Sequence, residues 1–236
     1  MVSIDRIIAV IPARGGSTRI PLKPLRKIND CSLLERTISL AIKSSIFDDI
    51  IVSTDDKGIA AEARSLGANV PLMRTEFADD FSPVSLATIW TLEKASENNR
   101  LASNDCVIQL LPTCPFFTQE TLKKMLEQFL DSTASPLLSC TRADPLTRYA
   151  FEMDAARKRH NILKTDIHSR TQDHKPTFLP SGAAWMAMYK TLMYERTFMT
   201  ANARYWEIST YEGYDIDSLE QIEFAEAWEK IHGQSH

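Results

Sequence analysis

The sequence predicts an α/β fold, a mostly parallel sheet flanked by helices, from three observations. Short runs of branched apolar residues recur along the chain, as in strands buried on both faces. Amphipathic stretches long enough for helices separate them, the spacing of βαβ units. The first apolar run ends in a glycine turn crowded with cations, where open α/β sheets place their ligands.

Ile7-Ile8-Ala9-Val10-Ile11 is the first strand. The turn after it, Pro12-Ala13-Arg14-Gly15-Gly16-Ser17-Thr18-Arg19-Ile20-Pro21-Leu22-Lys23, carries Arg14, Arg19 and Lys23 within ten residues. Glycine lets backbone N–H groups approach a ligand closely. Such donors together with Arg and Lys suit a polyphosphate. The same residues also read as a basic surface turn. Neither G-x-x-x-x-G-K-[ST] nor G-x-G-x-x-G occurs here, so the turn is not one of those two phosphate loops.

Ser32 caps a helix through about Ser45, with Glu35 in the capping-box position and Leu33, Leu34, Ile38, Ala41 and Ile42 as its apolar face. Asp49 to Thr54 reads as a second buried strand. Asp55-Asp56 then opens a helix to about Leu66, closed by Gly67. Asn69 to Leu72 is short and extended, and a helix covers Pro83 to about Glu97, with Ser82 a possible cap. Cys106 to Leu111 is the third strand, stopped by Pro112 and Pro115. Thr118 caps a helix to about Leu130, and Pro136 to Cys140 is a fourth strand. Residues 141–180 break the rhythm: they are polar, with six cations between Arg157 and Lys175, and long irregular insertions are usually functional. Ala183 to Tyr189 and Tyr205 to Ile208 are strands, and Ser218 caps a last helix from Leu219 to Ile231. The whole reads as a Rossmann-like sheet with one insertion.

The chain of 236 residues suits a single domain, residues 1–236, with ample core. A net charge of −4 without a basic run argues against nucleic acid as a partner. No segment has the length of a membrane span, and Asp5 and Arg6 interrupt any signal-like start. Cys31, Cys106, Cys114 and Cys140 lack metal-like spacing, which predicts reduced thiols and a cytoplasmic location. The five histidines form no ligand pattern, so neither zinc nor a Ser-His-Asp triad is expected.

Asp215-Ile216-Asp217 is the second strong signal. Residues two apart in a strand share a face, and two carboxylates can then meet one Mg²⁺, a hard cation that takes carboxylate and phosphate oxygens. One of them could equally cap the following helix. Ser53-Thr54-Asp55-Asp56, at the end of the second strand, reads as capping and loop support.

These strings, in this order, resemble the nucleotidyltransferases that activate acid sugars, and more narrowly the CMP-sialic acid synthetase (acylneuraminate cytidylyltransferase) family. The turn matches A-R-G-G-S-[KT]-R-[IL]-P-x-K, and Tyr214 to Glu220 matches D-I-D-[ST]-x-x-[DE]. Arg74 to Asp80, Leu111-Pro112-Thr113-Cys114-Pro115, Arg170-Thr171-Gln172-Asp173 and Ser181-Gly182-Ala183 match further motifs, so the likeness runs from about Ile7 to Ala227. It implies a nucleotide-diphospho-sugar transferase fold and a Mg²⁺-dependent reaction of CTP with a 2-keto-3-deoxy acid sugar. It also implies roles: Ala13, Arg14, Gly15, Ser17, Arg19, Lys23, Arg74, Ser82, Pro112 and Thr113 around the nucleotide, and Asp215 and Asp217 on the metal. Arg14, Lys23 and Asp217 would be catalytic, and Arg170, Gln172 and Asp173 would meet the sugar. Arginine's planar fork suits the sugar's carboxylate, although Arg170 could also pair with Asp166 or Asp173. Residues 141–180 would be an arm that packs on a second subunit. The family commonly has Lys at Thr18 and Asn at Pro24, and some members have Gln at Leu111 and Arg at Phe117. Ser17 to Leu25 resembles the enzymes for the eight-carbon sugar Kdo, while Arg-Thr-Gln-Asp resembles the pseudaminic-acid branch, so the sugar stays open. Outside enzymes, the alternative is a non-catalytic nucleotide-sugar binder.

Overall fold

The computed structural model describes residues 4–79, 81–97, 101–162, 170 and 174–232. Its strands are β1 (Ile7–Pro12), β2 (Lys27–Ile28), β3 (Cys31–Ser32), β4 (Asp49–Ser53), β5 (Cys106–Gln109), β6 (Leu137–Arg142), β7 (Phe151–Met153), β8 (Arg159–Asn161), β9 (Phe178–Met188) and β10 (Arg204–Ile208). The α-helices are α1 (Leu33–Ser44), α2 (Lys57–Ser65), α3 (Val84–Ser96), α4 (Gln119–Leu130), α5 (Tyr189–Glu195) and α6 (Leu219–His232). None is long and apolar enough to cross a membrane.

The central sheet has the order β10-β6-β9-β5-β1-β4. β1 pairs in parallel with β4 on one side and β5 on the other, and β10 is parallel to β6. β9 runs antiparallel between β5 and β6, so the sheet is mixed and mostly parallel. The chain leaves β1 toward β4 and returns on the opposite side to β5. That reversal opens a crevice beyond the C-terminal ends of β1 and β5.

Both faces are covered. Leu34 and Ile38 of α1, Ile59 and Ala63 of α2, and Met125 and Phe129 of α4 pack on one face. Ile89 and Leu92 of α3, with Leu192 of α5 and Phe198, pack on the other. A third cluster, Ile20, Ile28, Leu33, Phe116, Ile216, Ile222 and Ala225, joins the glycine turn to α6. The predicted caps are in place: Ser32 makes a full capping box with Glu35, and Asp56 and Thr118 each accept a first-turn amide.

Three expectations change and one helix, α5, is added. Asp215-Ile216-Asp217 is a loop, because the Ile216 amide bonds the Thr113 carbonyl and its side chain is drawn into the third cluster rather than into a ladder. Ser82 does not cap α3: its hydroxyl is donated to Asp79, and Pro83 occupies the cap position. The insertion is partly regular, with a 3-10 turn at Pro145–Tyr149 and a β7–β8 hairpin. It also contains the start of β9, which extends to Phe178 because Phe178 and Leu179 pair with β6 while their side chains stay exposed and leave no apolar signature. α5, finally, has no cap signal in the sequence, since Met188 precedes it without a side-chain cap bond.

α6 is fixed by a buried ion pair. Arg36 on α1 pairs with Glu229 on α6, both almost wholly buried. Arg36 Nη2 also donates to the Ile28 carbonyl at 2.6 Å, and Asn29 donates to Glu229 at 2.8 Å. Removing one partner strands a buried charge. Glu229→Ala is therefore expected to lower unfolding free energy by about 3 kcal/mol, read as a shift of the urea midpoint; an unchanged midpoint would show the pair is dispensable.

Candidate active site

Backbone geometry shapes the turn after β1. The Ala13 amide continues the ladder to the Ser53 carbonyl. The Gly15 amide bonds Asp55 at 2.9 Å, and a Cβ on Gly15 would lie 2.8 Å from the Asp56 Cβ. Gly15 thus anchors the turn against the N-terminus of α2, its own N–H already engaged. The Ile20 amide bonds Ser17 Oγ, and the fully buried Ile20 side chain pins the turn from below. Leu22 takes a left-handed conformation, φ 51°, which swings Lys23 inward.

Lys23 Nζ donates to the Ile216 carbonyl at 3.0 Å and to Asp217 Oδ1 at 2.8 Å. Arg19, mostly exposed, meets the same oxygen at 2.9 Å. Burial works against the Asp217 charge, but the hydrogen bond and charge of Lys23, with Arg19, hold its carboxyl below the usual aspartate range. Asp215 is pushed the other way. Its surface opens on the cavity, yet the surrounding walls desolvate the carboxyl and raise its pKa; a Thr113 hydrogen bond, Lys23 and Arg19 oppose this, and Asp217 reinforces it. With solvent able to reach it, Asp215 contributes little to stability by this shift. The two carboxylates therefore differ: one stays ionised against cations, the other is the first to take up a proton as pH falls.

A cavity of about 310 Å³ unites these groups. Ala13, Arg14, Ser17, Arg19, Lys23, Arg74, Ser82, Pro112, Thr113, Asp215 and Asp217 all line it. Gly15 supports it from behind. Arg74 is 4% exposed and donates to Ser53 Oγ at 3.2 Å. Desolvation lowers its pKa, as does Arg14, while Asp55 acts in the opposite sense. Ser82 is held by Asp79, which accepts its amide and its hydroxyl. Arg170 is exposed and is not among the lining residues; Gln172 and Asp173 lie outside the described residues. Leu111 passes over Gly182, where a Cβ would come within 2.3 Å of its Cδ1.

Two lining residues carry no sequence signal, Val84 and Ala87, while Phe77 lies within the Arg74 to Asp80 string but is given no role by it. They belong to the segment before α3 and its first turns, where apolar residues read simply as core. A larger cavity, about 400 Å³, lies between α1 and α4. Arg36, which helps line it, is already paired with Glu229, so volume alone does not select the site; the convergence of four cations and three aspartates on the smaller cavity does.

The arrangement fits transfer of a phosphate-bearing group: cations for a polyphosphate, a buried guanidinium for an acceptor, and two oxygen ligands. A family model described as "Cytidylyltransferase" matches residues 8–232. The chain is 27% identical over 229 residues to a pseudaminic acid cytidylyltransferase of Campylobacter jejuni, covering 97% of this chain and 98% of the other. It is 30% identical over 218 residues to a CMP-N,N'-diacetyllegionaminic acid synthase of Legionella pneumophila, covering 90% and 91%. In fold it is similar to a CMP:2-keto-3-deoxy-manno-octonic acid synthetase solved with CTP, TM-score 0.72 at 17% identity over 97% of this chain and 100% of that one.

Gly15→Ala tests the turn. The added methyl must push against Asp56 and displace the turn that carries Arg14 and Ser17 into the cavity. Tripolyphosphate affinity, followed by thermal shift, is expected to fall by about tenfold, roughly 1.4 kcal/mol; an unchanged affinity would mean the turn tolerates the methyl or does not bind phosphate.

Proposed function

The chain belongs to the cytidylyltransferase family, and on that premise we propose that it activates a nonulosonic acid, converting CTP and the acid sugar to CMP-sugar and pyrophosphate. The observation that carries this reading is the meeting of Lys23 and Asp217, 194 residues apart, in the cavity that Arg74 also lines. The full-length relatives named for pseudaminic and diacetyllegionaminic acids support a nine-carbon acid as the acceptor.

In this reading Arg14, Arg19 and Lys23 hold the triphosphate, with Ala13, Ser17, Arg74, Ser82, Pro112 and Thr113 around the nucleoside. Arg170, Gln172 and Asp173 are assigned to the sugar. The sugar's anomeric hydroxyl attacks the α-phosphorus in line: a new P–O bond forms, the hydroxyl proton passes to solvent, and the bond from the α-phosphorus to the bridging oxygen breaks, so that pyrophosphate leaves with that oxygen. Such transfer depends on positioning and charge neutralisation. The residues fit Mg²⁺: Asp215 and Asp217 line the same cavity as the cations. Among the described residues no group of three His, Cys, Asp or Glu is poised for a metal, so phosphate oxygens would complete the shell, as is usual for this ion. When bound, the ion supplies charge neutralisation at the phosphate and a lowered pKa for the attacking hydroxyl. Without nucleotide, Asp217 is engaged by Lys23 and Arg19. A triphosphate offers those cations stronger partners and leaves the Asp217 carboxylate available. The described cysteines are free thiols, mostly buried, which supports a reducing, cytoplasmic setting.

Incubation with CTP, Mg²⁺ and a panel of nonulosonic acids and Kdo is expected to release pyrophosphate with at least one nine-carbon acid. Asp217→Asn, near-isosteric, is expected to lose at least about a hundredfold in kcat/KM. Release with none of the sugars would overturn the catalytic reading, and CTP-induced thermal stabilisation without turnover would leave a nucleotide-sugar binder instead.

We further propose a homodimer formed through residues 141–180. Leu146, Phe151, Met153, Ile162, Phe178 and Leu179 stand exposed there, more apolar surface than one arm keeps in water without a partner. Light scattering is expected to give about twice the chain mass of 26.7 kDa. A monomer at micromolar concentration would favour an arm that closes over bound sugar.

A further inference from the structure

Arg74 differs from Arg19 and Lys23 in how it is held. Folding has removed it from water, 4% exposed, and joined it to a short chain of hydroxyls. Its Nη1 is 3.2 Å from Ser53 Oγ. Ser53 Oγ is 2.6 Å from Thr91 Oγ1, and Thr91 Oγ1 is 2.9 Å from the Ala87 carbonyl oxygen. All of these side chains are buried.

Proton counting fixes the direction of every bond. A carbonyl only accepts, so the single Thr91 proton goes to Ala87. A guanidinium only donates, so Ser53 accepts from Arg74. The Ser53 proton must then go to Thr91. The relay runs one way, from Arg74 through Ser53 and Thr91 to the backbone of α3. Ala87, where it ends, is itself part of the cavity wall, as is Val84 one turn earlier.

Arginine donates whatever surrounds it. What the relay sets is which N–H faces the cavity. With Nη1 tied back to Ser53 and Nε enclosed without a hydrogen-bond partner among the described residues, Nη2 is the edge left for the cavity that Arg74 lines. A donor on a desolvated guanidinium calls for an acceptor. Asp55 and Arg14, the charged neighbours that act on Arg74, would pull and push a loosened guanidinium out of this orientation. On its Watson–Crick edge cytosine offers two adjacent acceptors, N3 and O2. Uracil keeps O2 but presents an N3–H, which opposes a donor.

We propose that Ser53 and Thr91 are positioning residues that set selectivity for cytosine over uracil nucleotides by fixing the orientation of Arg74. This rests on the reading that Arg74 meets the nucleotide base. It adds to that reading two residues outside the cavity wall and a preference that follows from bond polarity.

The test measures CTP and UTP affinities by calorimetry without sugar, and kcat and KM for both nucleotides, in the unaltered protein, Thr91→Val, Thr91→Ser and Ser53→Ala. Valine keeps the shape of threonine and removes the relay's last donor, while serine retains the hydroxyl. Thr91→Val and Ser53→Ala are each expected to raise the CTP dissociation constant and KM about tenfold and change UTP by less than about twofold, with kcat at saturating CTP nearly unchanged. Thr91→Ser is expected to restore most of the CTP preference. Either variant folding with an unchanged CTP-to-UTP ratio, or with both nucleotides weakened equally, would overturn the relay. Unaltered protein that binds CTP no better than UTP would overturn the cytidylyl reading itself, whatever the variants do.

Discussion

The Asp217 carboxylate, held between Lys23 and Arg19, is the contact on which the site depends. It closes the crevice by tying the first turn of the chain to the loop that precedes the last helix. Charge alone would not hold it, since Arg19 is mostly exposed and such pairs are weak in water. The closure is made firm below, where Ile20 from the turn and Ile216 from the loop are buried against Phe116 and Ile222. The Ile216 amide is bonded to the Thr113 carbonyl, bringing the segment after β5 into the same assembly. Three distant segments are thus fixed by apolar burial, and their charged ends are left facing one cavity.

That division between an apolar base and a polar rim explains why the site tolerates like charges. Arg14, Arg19, Lys23 and Arg74 share a cavity of about 310 Å³. Asp217 offsets part of this field, Asp79 and Asp215 line the same cavity, and Asp55 acts favourably on Arg74. The four cations are therefore largely balanced by carboxylates. In the proposed reaction a triphosphate would compete with those carboxylates for the cations. Preorganised charge of this kind stabilises a transferring phosphoryl group without reorganisation at the moment of reaction.

The site also depends on elements remote from it. The Arg36–Glu229 pair and the Asn29 bond fix α6 to α1 and to the segment after β2. α6 begins at Leu219, two residues after Asp217, so the pair positions a carboxylate through the helix that follows it. The stacked rings of Phe116, Tyr211 and Trp228 add a second brace on the same helix.

The sequence by itself determined the fold class, the main caps and most of the residues that line the cavity beyond β1 and β5. Branched apolar runs, Ser32 with Glu35, Thr118 and the basic glycine turn are local signals, and local energetics decided them. Tertiary structure decided what required distant partners. Asp215 and Asp217 share a cavity because Ile216 is buried and bonded to Thr113, not because they alternate along a strand. β9 runs antiparallel into the sheet and reaches Phe178 because β6 offers a ladder there, which no periodicity encodes. Ser82 donates its hydroxyl to Asp79 rather than accepting an α3 amide, a choice between a nearby acceptor and nearby donors that composition leaves even. Ser53 and Thr91 read as ordinary polar residues in a strand and a helix. Their one-way hydrogen-bond relay exists only because the sheet and α3 bring a buried arginine and a helix carbonyl within reach of the two hydroxyls.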